Sequence, residues 1–268
     1  MNSKVLIWFS FIVLIIAGIA LGIGQPSHNQ GKLMSQLHSD EWKVRAGAVE
    51  GLIRSPEALK SGDVKNSLID LLDRENQEIV SAYREGQPVS VKYGEAYSAY
   101  YSELLGAVAQ VADLSDKRVL DVLARGSYNP DSPFAMKLAS YGEAAVPTLL
   151  ELARSDFAPH RENALAILGE ILKRSKNPTS PMPKDICEEI KQALIKGTGD
   201  EEFWVRSQAV RSIGKAGDKD FLPLLERIAQ TDPATTPTGE KGKLTTPVRE
   251  EALKAMSAIK KRESGSPM

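Results

Sequence analysis

The sequence predicts an all-α fold, an α-solenoid of stacked antiparallel helix pairs preceded by one N-terminal apolar helix. Three observations carry that prediction. A helix-forming unit built on a Val-Arg or similar start recurs along the chain, around Arg45, Arg161, Arg206 and Arg249. Several copies are followed by a short turn and a second apolar stripe. Internal self-similarity of this kind marks a repeat architecture, in which each unit buries its apolar face against its neighbours.

The chain opens on an apolar stretch. Val5 to Gly24 contains one polar side chain, Ser10, and Lys4 is the single charged residue of the first 24. That length suffices to cross the ~30 Å hydrocarbon layer of a bilayer, and the basic start also suits a secretory signal. Retained anchor and cleaved signal both remain open. Either way the charge bias predicts an extracytoplasmic body, anchored N-in/C-out or released as a secreted or periplasmic chain. Gly18 and Gly22 read either as a small-xxx-small pair for packing two anchors or simply as glycines of an apolar segment. Residues 25–33 then read as a polar tether, and residues 34–262 as the solenoid, with a flexible tail over 263–268.

The repeats follow in order. Val44-Arg45, Ala48-Val49 and Leu52 align without a gap on Val205-Arg206, Ala209-Val210 and Ile213, and His160 to Leu168 and Val248 to Met256 repeat the pattern. In each copy small or apolar residues stand at +3, +4 and +7 from the Arg. That spacing sets them on one helical stripe. Trp42 and Trp204 precede two of the units and read as helix-entry packing. After Ile213, Gly214 to Asp218 stops the helix, and Phe221 to Ile228 carries the next stripe, with Pro223 in its first turn where a missing N–H costs least. Tyr141 to Leu150 repeats that construction with Pro147, and Asp116 to Leu123 does so without proline.

These units resemble the HEAT-repeat family, particularly its short phycobilisome-lyase-like variety within the armadillo-type α-solenoids. The resemblance implies a HEAT-like superhelix over roughly Met34 to Arg262. The acid before the Arg is also similar: Asp40 before Arg45, Asp156 before Arg161 and Asp200 before Arg206, whereas Thr245-Thr246-Pro247 precedes Arg249. An acid there suits the positive end of a helix and can pair with the Arg one turn on.

The steps between Arg161, Arg206 and Arg249 are 45 and 43 residues, and the gap of 116 from Arg45 to Arg161 must hold two weaker copies. Leu104 to Val111 and the region of Phe134 to Leu138 supply them. Insertions at Arg84–Lys92, Gly126–Pro133 and Thr231–Pro247 join one pair to the next, so they should share a rim. Ser175–Lys184 lies within a pair and should occupy the opposite rim. Long connections are either functional or tolerated drift. The second helices, Val64–Leu72, Val119–Leu123, Val146–Leu152 and Phe221–Ile228, should form the concave surface.

The function reading is a protein-binding scaffold without catalytic activity, whose partner is another protein. The 34 basic and 35 acidic residues balance, so nothing favours nucleic acid. The three His are scattered and the one Cys, Cys187, is isolated, which leaves no metal-site spacing, no disulfide framework and no nucleophile motif. Gly239 to Lys243 lacks the context of a phosphate-binding loop. No cofactor is expected, and membrane contact would run only through residues 5–24. Tyr93, Tyr97 and Tyr100 are candidate interaction residues, because helical spacing places them on one side. Packing against the preceding repeat is the competing account, and their exposure decides between the two. The resemblance alone suggests a bilin-attachment enzyme or accessory factor, and the apolar start suggests a structural envelope protein.

Overall fold

The computed structural model describes residues 26–264, apart from 88, 112, 114–115, 127–132, 178–180 and 238–242. Twelve helices follow in order, all within the described residues. They are α1 (Pro26–Leu37), α2 (Trp42–Ile53), α3 (Gly62–Arg84), α4 (Glu95–Val111), α5 (Lys117–Gly126), α6 (Pro133–Ser140), α7 (Val146–Leu152), α8 (Ala158–Arg174), α9 (Lys184–Gly197), α10 (Phe203–Ala216), α11 (Leu222–Thr231) and α12 (Pro247–Glu263). A single turn, Val89–Lys92, and three 3-10 turns link some of them. The first helices α2, α4, α6, α8, α10 and α12 stack in sequence order. The second helices α3, α5, α7 and α9 pack in a parallel row beside them. This is the α-solenoid that the repeats predict, and both degenerate copies take their places as α4 and α6.

The stripes do what their spacing requires. Ala48, Val49 and Leu52 of α2 stand at +3, +4 and +7 from Arg45, and all three are fully buried. Ala164, Leu165 and Leu168 of α8, and Ala209, Val210 and Ile213 of α10, repeat this. Two glycines set the distance between first helices. A Cβ on Gly169 would lie 2.5 Å from Cβ of Ser212, and one on Gly214 would lie 2.9 Å from Cβ of Ala255. Each glycine stands eight residues after its repeat arginine, so the same register sets both contacts.

Two expectations need correction. Residues 26–37 are helical where a polar tether was expected over 25–33. Leu33 and Met34 pack on the core and Leu37 is buried in it, with Leu33 filling the space above Gly51. Side-chain burial thus overrides the polar composition around them. The long insertion Thr231–Pro247 carries a two-residue antiparallel pair, Thr236 with Thr245 and Pro237 with Leu244. The second correction concerns placement. The extracytoplasmic assignment is not retained, because no helix among the described residues is long and apolar enough to cross a membrane. The longest, α3, has 23 residues but carries acidic and basic side chains along its length. The apolar segment 5–24, with its expected helix, lies outside the described residues.

Candidate functional site

The repeat arginines tie each first helix to neighbouring segments of the stack. Arg45 donates from Nε to Glu75 at 2.6 Å and from Nη1 to the carbonyls of Ser39 and Asp40, both at 2.9 Å. Arg161 donates from Nε and Nη2 to the two carboxylate oxygens of Asp200, at 2.7 and 2.8 Å, and from Nη1 to the Ser155 carbonyl. Arg206 repeats this on Asp232, at 2.7 and 3.1 Å, and on the Asp200 carbonyl at 2.9 Å. Arg249 donates to the Asp232 carbonyl. Each arginine therefore closes the loop before its own helix, and the first three also take a carboxylate from 26 to 39 residues further on.

This changes the expected role of the acids. Asp200 pairs with the arginine of the preceding repeat rather than with Arg206, and its Oδ1 also accepts the Glu202 amide at 3.0 Å. Asp40 pairs with Arg74 and Asp156 with Arg84, both on α3. Burial opposes the charge of Asp200, but the Arg161 hydrogen bonds and the Glu202 amide outweigh it and hold the carboxyl below its ordinary value. Asp232 is held down in the same way by Arg206 and the Ala234 amide.

The tyrosines lie in the core instead of on a binding surface. Tyr97 is 1% exposed and Tyr100 is 3% exposed, so the aromatic-patch reading fails. Both hydroxyls donate to Glu75, at 2.5 and 2.9 Å. Glu75 is itself fully buried and also receives Arg45. Burial, with the Glu75 carboxylate, pushes both phenols well above their ordinary value. Trp42 packs edge-on to Tyr97 and stacked on Tyr100, which gives it the expected helix-entry role. Tyr93, partly buried, donates to Glu78 at 2.7 Å. Next to this cluster, Asn76 donates to the Val122 carbonyl at 2.9 Å, and Tyr101 donates to Asn76. The polar atoms of α3 thus tie it to α2, α4 and α5.

The open surface is elsewhere. A groove of about 1980 Å³ runs along the second-helix row, walled by the C-terminal half of α3, by α7 and by α9. Its walls include the partly buried Val80, Leu150 and Ala193 and the buried Phe157. Phe157 meets Tyr83 edge-on at 5.1 Å and His160 at 4.8 Å. Arg84 reaches from the end of α3 to Asp156, before α8, at 2.6 Å. On α9, Asp185, Glu188, Glu189, Gln192 and Lys196 are exposed and line the same groove, while Ile190 and Leu194 on the other side are fully buried. Eight carboxylates line the groove against four arginines and one lysine. Two of the arginines, Arg84 and Arg161, are already paired with Asp156 and Asp200. The remaining charge is therefore acidic and is concentrated on α9.

Of the second-helix stretches expected to form the surface only Val146–Leu152 lines this groove, and the strip of acids on α9 was not anticipated. The i, i+3, i+4 spacing of Asp185, Glu188 and Glu189 was the available signal. The groove also uses less of the row than expected: α5 contributes only Arg125, and α11 contributes nothing. His160 lies in the groove with Nδ1 3.4 Å from the Ser155 hydroxyl. Burial lowers its pKa to about 4, so it stays neutral at neutral pH. The Ser155 hydroxyl accepts the Phe157 amide at 3.1 Å, which gives it a helix-entry role. Among the described residues no cluster of three or more His, Cys, Asp or Glu could hold a metal. Cys187 is partly buried, with Sγ 3.6 Å from the Ser175 hydroxyl.

The comparisons with known proteins bear on the stretch that holds Arg161, Arg206 and their carboxylates. A family model described as HEAT repeats matches residues 146–237, from α7 through the first strand residues. Residues 146–237 resemble HEAT repeats. The match is to HEAT repeats in general, and the narrower phycobilisome-lyase likeness is not shown. No curated protein matches the chain. Among solved structures, an engineered protein is 15% identical with a TM-score of 0.43, covering 87% of this chain and 96% of its own. A computationally designed armadillo repeat protein, made for modular peptide recognition, is 18% identical with a TM-score of 0.44, covering 85% and 98%. The family match, in step with the repeat register, supports a HEAT- or armadillo-type repeat over that stretch.

Proposed function

We propose that this HEAT-repeat protein is a non-catalytic binding scaffold that holds an extended, lysine- or arginine-bearing segment of another protein. The observation that carries the proposal is the groove along α3, α7 and α9, with exposed Asp185, Glu188 and Glu189 on one wall. Repeats of this kind present an extended surface on which many side chains contact a partner. Val80, Leu150 and Ala193 offer apolar contact, and the α9 carboxylates favour a cationic partner by charge complementarity.

A peptide array of basic, neutral and acidic sequences, probed with the full chain, tests this reading. Basic peptides should be retained at low ionic strength and released by salt, since the pairing is solvent-exposed. The variant E188K/E189K changes two exposed side chains and should lose about tenfold or more in affinity for those peptides, while its melting temperature stays put. Equal retention by the variant, or no preference for basic peptides, would overturn the proposal.

A further inference from the structure

The last helix presents a second surface. In the repeat register, the residues at +4, +7 and +8 from the arginine form the face on which the following unit stacks. Leu165, Leu168 and Gly169 do this on α8, and Val210, Ile213 and Gly214 on α10; the four aliphatic side chains are at most 1% exposed. The equivalent residues on α12 are Leu253, Met256 and Ser257. No described element covers them. Leu253 is 58% exposed and Met256 is half-buried. With Lys260, Lys261 and Ser264 they line a shallow depression of about 620 Å³. Ser257 stands where Gly169 and Gly214 allow close approach, and it is small enough to allow it as well.

The charges on this stripe identify the occupant. Glu250, Leu253, Ser257 and Lys260 follow at spacings of 3, 4 and 3, so they share a face, with acid at its N-terminal end and base at its C-terminal end. Glu250, Leu253 and Lys260 are all exposed. A stripe of this kind complements itself when a second copy is laid against it antiparallel. Glu250 and Lys260 are equidistant from Ala255, as are Leu253 and Ser257. A two-fold axis at that level sets each Glu250 opposite the other copy's Lys260, and each Leu253 opposite a small Ser257. A parallel arrangement would set Lys260 and Lys261 against their own copies. A two-fold contact must be self-complementary, and like charges across it are costly.

We infer that α12 is a homotypic interface, through which two copies of this chain associate antiparallel, end to end, and extend the helical stack across a two-fold axis. One helix face is small beside standard protein interfaces, so the dimer depends on concentration. The groove on α3, α7 and α9 lies on other helices and stays open.

Sedimentation equilibrium of the full chain over a concentration series measures this association, and a charge exchange assigns it. K260E sets glutamates against Glu250, and E250K sets lysines against Lys260, so each variant alone should associate at least roughly tenfold more weakly. Mixed one to one, E250K and K260E chains pair opposite charges at both contacts, and a heterodimer should return. Glu250 also accepts the Thr246 amide at 3.1 Å, so a melting curve accompanies E250K; K260E and L253D give the same readout with that bond intact. A chain that stays monomeric overturns the inference. So does association insensitive to K260E and L253D, which would run through other residues, the apolar stretch 5–24 included.

Discussion

Arg161 grips the carboxylate of Asp200 with Nε and Nη2, at 2.7 and 2.8 Å, while the carbonyl of the same Asp200 receives Nη1 of Arg206 at 2.9 Å. One residue therefore serves the arginines of two successive repeats. The pair is close to buried, at 10% and 11% side-chain exposure. Removing one partner leaves the other charge desolvated without compensation, which costs roughly 3 kcal/mol or more. D200A should lower stability by about that amount in urea denaturation. E57A, which breaks the exposed pair with Lys60, should cost under about 0.5 kcal/mol.

Glu75 accepts from Arg45, Tyr97 and Tyr100 with no solvent exposure. E75A should therefore be among the most destabilising single changes, at about 3–5 kcal/mol. Y97F removes one donor to the buried carboxylate and keeps the ring, so it should cost less, about 1.5–3 kcal/mol. The double variant R45M/E75L should lose less than the sum of the R45M and E75L losses, because neither charge is then left alone. Thermal or urea melts of the five variants check the order.

The glycine contacts separate packing from helix propensity. G169A drives a methyl into Ser212 and should cost about 1–3 kcal/mol by overpacking. Gly47 lies exposed on α2, and a Cβ there meets nothing within 4 Å. G47A should therefore stabilise the protein by about 0.5–1 kcal/mol. Opposite signs at two helical glycines would confirm that α8 and α10 meet through Gly169.

His160 predicts an acid limit. Its pKa falls from an ordinary 6.5 to about 4, chiefly because burial disfavours the cation. Above pH 6.5 both folded and unfolded chains hold it neutral. As pH falls from 6.5 toward 4, the unfolded chain binds a proton that the folded chain refuses, and stability is lost. The loss should reach about 2–3 kcal/mol, allowing for the partial exposure of the ring. Asp200 and Asp232, whose pKa values are lowered, contribute stability that is lost only at still lower pH. H160Q should flatten the stability profile between pH 6.5 and 4 and leave the steeper fall below 4 in place.

The repeat units were legible because helical spacing shows which side chains share a face. Ala48, Val49 and Leu52 announce a buried stripe without knowledge of what covers it. The same spacing says nothing of which carboxylate arrives from 30 residues away, so Glu75 passed unnoticed beside Arg45 and Tyr97 stood open between an interaction role and packing. Asp200 was seen as the partner of its own helix, since a local pair is the simplest geometry that a sequence offers. Helix α1 was missed because Leu33, Met34 and Leu37 sit among polar residues, and only the space over Gly51 makes them a packing face. The groove needed three helices from distant stretches, and their proximity follows from the stacking of the whole row.

The polar links are unevenly spaced, and that gives the rod a mechanical profile. From Arg161 to Arg249 each step is pinned by a guanidinium reaching a carboxylate or a carbonyl, and α8, α10 and α12 meet along much of their length. Between α4 and the short α6 the contact is slight, and no repeat arginine spans it. Under tension the molecule is a stiff C-terminal spring in series with a softer central one. A pull on its two ends would open the α4–α6 seam first and alter the width of the groove above it, while leaving the pinned repeats in register.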